Sequence, residues 1–263
     1  MTFETIAITT DERGVATLLL NRADKHNSLS AKMIDELAEA AWQLAADPAV
    51  RVVVLTGAGA SFCAGGDLGW MREQFDATRE TRMAEARKLA LMLKALNEMP
   101  KPVIGRVQGQ AFGGGIGMMS VCDTVVAVEE AKFGLTEVRL GLIPATISPY
   151  VLARMGEGKA RRVFMSARIF GAQEARDLDL VAKVVPTEEL DAAVEAEIKP
   201  YLAAAPAAVA ASKALARSLG PDMSEAVIDD TIRRLADTWE TPEAQEGISA
   251  FFDKRKPNWV AAS

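Results

Sequence analysis

The 263 residues contain one histidine, His26, and two cysteines, Cys63 and Cys122. A single histidine excludes the paired-histidine zinc enzymes, and two cysteines provide neither a disulfide framework nor a cysteine-rich zinc site. No metal site is therefore expected. A Ser-His-Asp triad would have to use His26, but the polar turn Asn21-Arg-Ala-Asp-Lys-His-Asn27 makes it read as a solvated loop residue. Both cysteines read as packed thiols, with no base or cation cluster beside them in sequence. Positive charge is also short: 30 Lys and Arg face 36 Asp and Glu, for a net charge of −6. That balance argues against a nucleic-acid partner. No stretch approaches the ~20 apolar residues that span a bilayer, and the first residues lack the pattern of a secretion signal. With the one histidine in a polar turn, acid–base chemistry falls to a carboxylate, and the chain reads as a soluble, cytoplasmic protein.

What is present is glycine in two places, each after an apolar strand. The first is the loop Thr56-Gly-Ala-Gly-Ala-Ser-Phe-Cys-Ala-Gly-Gly-Asp67. The second is Gly109-Gln-Ala-Phe-Gly-Gly-Gly-Ile-Gly117, which follows Val103–Val107 and opens into an apolar helix. Glycine permits close backbone approach, and a helix start adds unpaired N–H donors, so these loops suit negative charge. Neither is a nucleotide motif. No Gly-Lys-Ser/Thr occurs anywhere, and Gly57-Ala-Gly59-Ala-Ser-Phe62 ends on phenylalanine where a dinucleotide fingerprint needs glycine.

Along the chain, Ile6–Thr9 and Val15–Leu20 flank Asp11-Glu-Arg-Gly14 as a β-hairpin. Ser30 is of N-cap type for an amphipathic helix over 31–46. Val50–Leu55 reads as a buried strand, 79–98 as a long helix ended by Pro100 and Pro102, and Thr124–Val128 as a further strand. After Pro186 come Ala-rich helices over 188–202, 206–218 and 224–238, with too little bulk to fold alone. Strands recurring between helices predict an α/β core over 1–200, with a helical region over 201–263 that docks on the core or on another subunit.

Taken together the loops are more specific. Phe62-Cys-Ala-Gly-Gly-Asp67, Ala111-Phe-Gly-Gly-Gly115 with Cys122-Asp123, and Phe133-Gly-Leu-Thr-Glu137 through Pro144 resemble the enoyl-CoA hydratase/isomerase (crotonase) family. So do Asn21–Leu29 and Phe252-Asp-Lys254-Arg-Lys256-Pro257. The resemblance implies a spiral of ββα units with a C-terminal helical region for trimers or dimers of trimers. It implies an acyl-CoA thioester substrate, coenzyme A being the carrier and no bound cofactor being needed. The N–H groups of Gly66 and Gly114 would hold the thioester oxygen; one such donor is worth about 3 kcal/mol. Glu137 would be the acid/base. Ala64, Asp67, Leu68, Gly69, Trp70, Met71 and Gly117 would lie along the substrate, and Lys254 with Lys256 near the nucleotide phosphates or in a solvated basic tail. Asp67 is open between capping the next turn and touching substrate, and Trp70, Met71, Ile143 and Tyr150 between pocket and core.

Members that hydrate usually carry a second glutamate where this chain has Gly117. A single carboxylate suits a 1,3-proton shift, so a Δ3,Δ2-enoyl-CoA isomerase is the alternative. Gly65-Gly-Asp-Leu-Gly-Trp-Met71 with Glu137–Tyr150 resembles the methylglutaconyl-CoA hydratase branch, which implies hydration of a short or branched 2-enoyl-CoA, with 3-methylglutaconyl-CoA within that range. A non-catalytic CoA- or RNA-binding member is the reading from another class.

Overall fold

A computed structural model describes residues 3–261. Among the described residues there are ten strands: β1 (Ile6–Thr10), β2 (Val15–Leu20), β3 (Val52–Gly57), β4 (Ser61–Cys63), β5 (Val103–Val107), β6 (Gln110–Phe112), β7 (Thr124–Val128), β8 (Lys132–Gly134), β9 (Ile169–Gly171) and β10 (Lys183–Val185). They form a six-stranded sheet in the order β1-β2-β3-β5-β7-β10 and a four-stranded sheet in the order β4-β6-β8-β9. The β1–β2 hairpin and the β8–β9 pair are antiparallel and the other pairs parallel. Each of the pairs β3–β4, β5–β6 and β7–β8 sends its first strand to the large sheet and its second to the small one. The repeating unit is thus two strands and a helix, as the resemblance implied.

The helices are α1 (Ala31–Ala46), α2 (Leu68–Asp76), α3 (Arg79–Glu98), α4 (Gly114–Val121), α5 (Ser148–Phe164), α6 (Ala172–Asp177), α7 (Leu190–Ala203), α8 (Pro206–Ser218), α9 (Glu225–Trp239) and α10 (Pro242–Phe252). Ser30 caps α1 by accepting from the Met33 N–H at 3.3 Å. The β3 run Val-Val-Val-Leu-Thr-Gly is buried at every residue, as expected of a strand between parallel neighbours with both faces covered. It starts two residues later than the sequence suggested, because Val50 and Arg51 turn back onto Asp47 and Gly14. The core is continuous, running through β2, β3, β5, β7, α1, α3 and α4.

The sequence reading did not identify α2 and α10. Both are short, and α2 includes Gly69 and buries only Gln74, so neither carries a strong periodic signal. Of the C-terminal helices, α9 and α10 pack against other parts of the same chain. Ile228 and Ile232 of α9 meet Ala86 and Ala90 of α3. Trp239, Ala244 and Ile248 meet Leu142. No helix among the described residues is long and apolar enough to cross a membrane.

Candidate active site

The two glycine loops meet at the start of α4. Gly65 has φ +90 and Gly113 φ +47, values that L side chains rarely adopt, and a Cβ on Gly113 would lie 4.0 Å from Gly65 Cα. The loops are fastened by side-chain amides: buried Asn27 donates to the Ala58 and Ser61 carbonyls at 2.9 and 2.8 Å, and half-buried Gln108 to those of Gly57 and Ser61 at 2.7 and 2.8 Å. Leu29 N–H donates to the Gly65 carbonyl at 2.7 Å, and Asp67 N–H to the Leu29 carbonyl at 3.0 Å. The residue between them, Gly66, keeps its own N–H free. Gly114 is the first residue of α4, so its N–H has no partner within the helix. Neither N–H meets an acceptor among the described residues. Two backbone donors without acceptors, one at the positive end of a helix, thus belong to residues that line one cavity.

Glu137 begins the turn Glu137–Leu140 and its carboxylate reaches back to the glycines. Its Oε1 lies 3.0 Å from where a Gly113 Cβ would be, so only glycine leaves the carboxylate this position. Part of the residue faces the cavity, but Oε2 is buried and has no hydrogen-bond partner. Burial pushes the carboxyl up to about 7, against a smaller opposing effect of its own backbone amide. A carboxyl at that value can take and return a proton near neutral pH.

Two consequences follow for pH. As a base Glu137 works ionised, so kcat/KM should fall on the acid side with an apparent pKa near 7, read from a pH–rate profile. Stability moves the other way. The group titrates near 4.5 when unfolded and near 7 when folded. Between those values the folded chain holds the extra proton, so stability drops as pH rises through that window. Carrying the carboxyl from 4.5 to about 7 corresponds to about 3 kcal/mol. Glu137→Gln should therefore unfold at higher urea than wild type at pH 8 and at equal urea near pH 4.5.

The cavity, about 540 Å³, has one wall of loops and one of helices. Ala64, Gly66, Leu68, Trp70, Met71, Gly114, Glu137 and Ile143 line it. Asp67 and Gly69 do not. Asp67 is the N-cap of α2, accepting from the Gly69 and Trp70 N–H groups at 2.9 and 3.2 Å, and it pairs with Arg22 at 2.9 Å. Burial alone would raise its carboxyl, but the Trp70 and Gly69 amides and Arg22 outweigh that and hold it below its ordinary value. Asp67→Ala should cost about 1–2 kcal/mol in urea unfolding and raise KM, because α2 carries Trp70 and Met71 into the wall.

Tyr150 is a core residue: it is 1% exposed and its hydroxyl donates to the Ala90 carbonyl at 3.2 Å. Lys254 is exposed and is not part of the wall in the single chain. His26 is exposed in its turn, with Nδ1 3.0 Å from Ser61 Oγ. Cys63 and Cys122 are fully buried, which pushes each thiol up to about 12. No group of acidic, histidine or cysteine side chains among the described residues could hold a metal ion.

Gly117 is not in the wall either, and the reason is Ile147. A Cβ at 117 would lie 2.5 Å from Ile147 Cγ2 and 3.0 Å from Ile147 Cβ, and Ile147 itself lines the cavity. Isoleucine stands between position 117 and the cavity. The sequence reading also left out Gln74, Arg82, Leu235 and Trp239 on the helical wall. They come from α2, α3 and α9, and nothing local in their sequence marks them as neighbours.

Residues 10–262 match the family described as enoyl-CoA hydratase/isomerase. The chain is 33% identical over 267 residues to the crotonyl-CoA hydratase of Syntrophomonas wolfei, covering 99% of this chain and 100% of that one. Among solved structures it is similar to an enoyl-CoA hydratase from Shewanella pealeana, with TM-score 0.81, 38% identity, and 98% and 96% of the two chains covered. It is also similar to an enoyl-CoA hydratase from Mycobacterium avium, with TM-score 0.85, 31% identity, and 97% and 99% covered.

Proposed function

The chain belongs to the enoyl-CoA hydratase/isomerase family, and from that premise we propose that it adds water to, or removes it from, a short or branched 2-enoyl-CoA. The observation that carries this reading is the Glu137 carboxyl, buried and raised to about 7, beside two glycine N–H groups that have no acceptor of their own. Ionised Glu137 takes a proton from water as the water oxygen bonds to C3. The C2–C3 π pair moves toward C2 and the thioester oxygen, and the Gly66 and Gly114 N–H groups hold the resulting enolate. The enolate then collapses, and C2 takes the proton back from Glu137 on the same face. Every proton is accounted for with one carboxyl, as the site requires, since position 117 is glycine and Ile147 fills the space where a side chain there would begin.

The resemblance of the segments around Trp70–Met71 and Glu137–Tyr150 favours a branched acyl group, with 3-methylglutaconyl-CoA as the named candidate. Coenzyme A is the substrate's carrier, Lys254 is proposed to approach its phosphates, and no further cofactor is invoked. The single base favours a second reading, Δ3,Δ2-enoyl-CoA isomerisation, since a 1,3-proton shift needs no positioned water. Incubation with crotonyl-CoA and with a 3-enoyl-CoA separates the two. Loss of conjugated-thioester absorbance from crotonyl-CoA supports hydration; no loss there with conjugation gained from the 3-enoyl-CoA supports the isomerase.

We also infer a cytoplasmic homotrimer or dimer of trimers. Helix α8 buries none of its residues in the single chain, and Leu215 on it and Leu219 just after it are 62% and 80% exposed, which is consistent with cover from another copy. Light scattering on the purified protein tests it.

A further inference from the structure

The helical wall of the cavity holds a cation with no anion. Arg82, in the first turns of α3, has no ion-pair partner among the described residues, unlike Arg79 and Arg87 on the same helix. Its Nη1 donates to the Ala77 carbonyl at 2.7 Å and, at 3.4 Å, to that of Gln74. Its Nε is buried and meets no acceptor, and Nη2 makes no hydrogen bond. The guanidinium lies 5.7 Å from the centre of the Trp239 ring, a contact that leaves its positive charge uncancelled.

Beside it, Gln74 is only 7% exposed and its Oε1 is buried without a partner. The amide makes no side-chain hydrogen bond, so a half-turn about its last torsion presents Nε2 there and loses nothing. Gln74, Arg82 and Trp239 all line the same cavity as Gly66, Gly114 and Glu137, and its other helical lining includes Ala86, Leu89 and Leu235. Desolvated donors in an apolar wall are costly unless something accepts from them.

We infer that Arg82 and Gln74 bind a carboxylate at the far end of the acyl chain, so that these two side chains select CoA monothioesters of dicarboxylic 2-enoic acids, the class to which 3-methylglutaconyl-CoA belongs, over monocarboxylic ones. The inference rests on the thioester being held at Gly66 and Gly114 and deepens that reading by naming what the other wall takes. A planar carboxylate offers two oxygens to the guanidinium's free Nε and Nη2 edge, a geometry that Arg matches and Lys does not. The same orphaned donors penalise an acyl chain that ends in methyl.

The test compares pairs that differ only in that carboxylate. Glutaryl-CoA and butyryl-CoA are titrated calorimetrically, and glutaconyl-CoA and crotonyl-CoA are assayed for hydration. Wild type should bind glutaryl-CoA about 30- to 100-fold more tightly than butyryl-CoA. Arg82→Met should remove that preference, Arg82→Lys should keep part of it, and Gln74→Leu should lower it severalfold. The Lys and Leu variants and the wild-type ratio carry the test if the Met variant does not fold. Equal or weaker binding of glutaryl-CoA by wild type overturns the inference, as does a preference that these substitutions leave unchanged. A preference lost with Arg82, but no water added to either enoyl-CoA, upholds the carboxylate site and overturns hydration. Crotonyl-CoA hydrated with no preference for the dicarboxylic thioesters does the reverse.

Discussion

Glu137→Gln should lower kcat for hydration of a good 2-enoyl-CoA by about 10³- to 10⁴-fold, with KM little changed. The size of the loss follows from how few acids the site has. Where two carboxylates share the work, removing one leaves the other to position water or deliver the C2 proton. Among the described residues Glu137 is the only carboxylate in the cavity wall, so the proposed mechanism routes both proton transfers through it. Glutamine keeps the shape and so leaves the Gly113 contact and the fold intact, but it cannot accept and return a proton. The rate that remains reflects the two glycine N–H groups and the held geometry. A second measurement isolates the C2 step. Incubating a saturated acyl-CoA in D2O and following deuterium at C2 by NMR should show exchange with wild type and none with the variant. Exchange that survives in Glu137→Gln would mean another acid reaches C2, and the single-carboxyl mechanism would be wrong.

Gly117→Glu, which places a glutamate where the family resemblance would set a second carboxylate, should not add a working one and should instead destabilise the chain by about 4 kcal/mol or more. Position 117 lies inside α4, buried, and the new Cβ would come within 2.5 Å of Ile147 Cγ2. Leu93 Cδ1, at 3.5 Å, bounds the same space. Isoleucine cannot swing away freely, since its branched Cβ is itself 3.0 Å from the new atom. The carboxylate would then be buried among aliphatic groups without a cation. For a chain of this size the loss corresponds to a melting temperature lower by roughly 10 °C. Adding Ile147→Ala should recover much of that loss by opening a path from position 117 to the cavity, and the two changes should be far from additive. Thermal denaturation of the two single variants and the double variant checks this. A Gly117→Glu chain that melts with wild type would show that Ile147 does not hold the space.

Several parts of the fold could be read from the sequence because they depend on near neighbours. The β1–β2 hairpin, the Ser30-capped α1, the long α3 and the helix opening after Gly113 all follow from apolar spacing, caps and glycine placement within a few residues. The four-stranded sheet could not be read, because β4, β6, β8 and β9 are three residues each and exist only by pairing across the chain. Helix α2 depends on Asp67, whose cap to Trp70 could be anticipated but whose pair with Arg22, forty-five residues back, could not.

For the site, sequence alone determined the chemistry offered: one histidine in a polar turn, glycines at two strand exits, and Glu137 among apolar neighbours. Those are statements about residue type and local order, which spacing carries. Tertiary structure decided what the residues do to one another. It removed solvent from Glu137, left the Gly66 and Gly114 N–H groups without acceptors, and put Ile147 between Gly117 and the cavity. It also brought Arg82 and Gln74 onto the wall without an anion to meet them. Burial and unpaired donors depend on which distant segments exclude water and supply partners, and no local pattern records that.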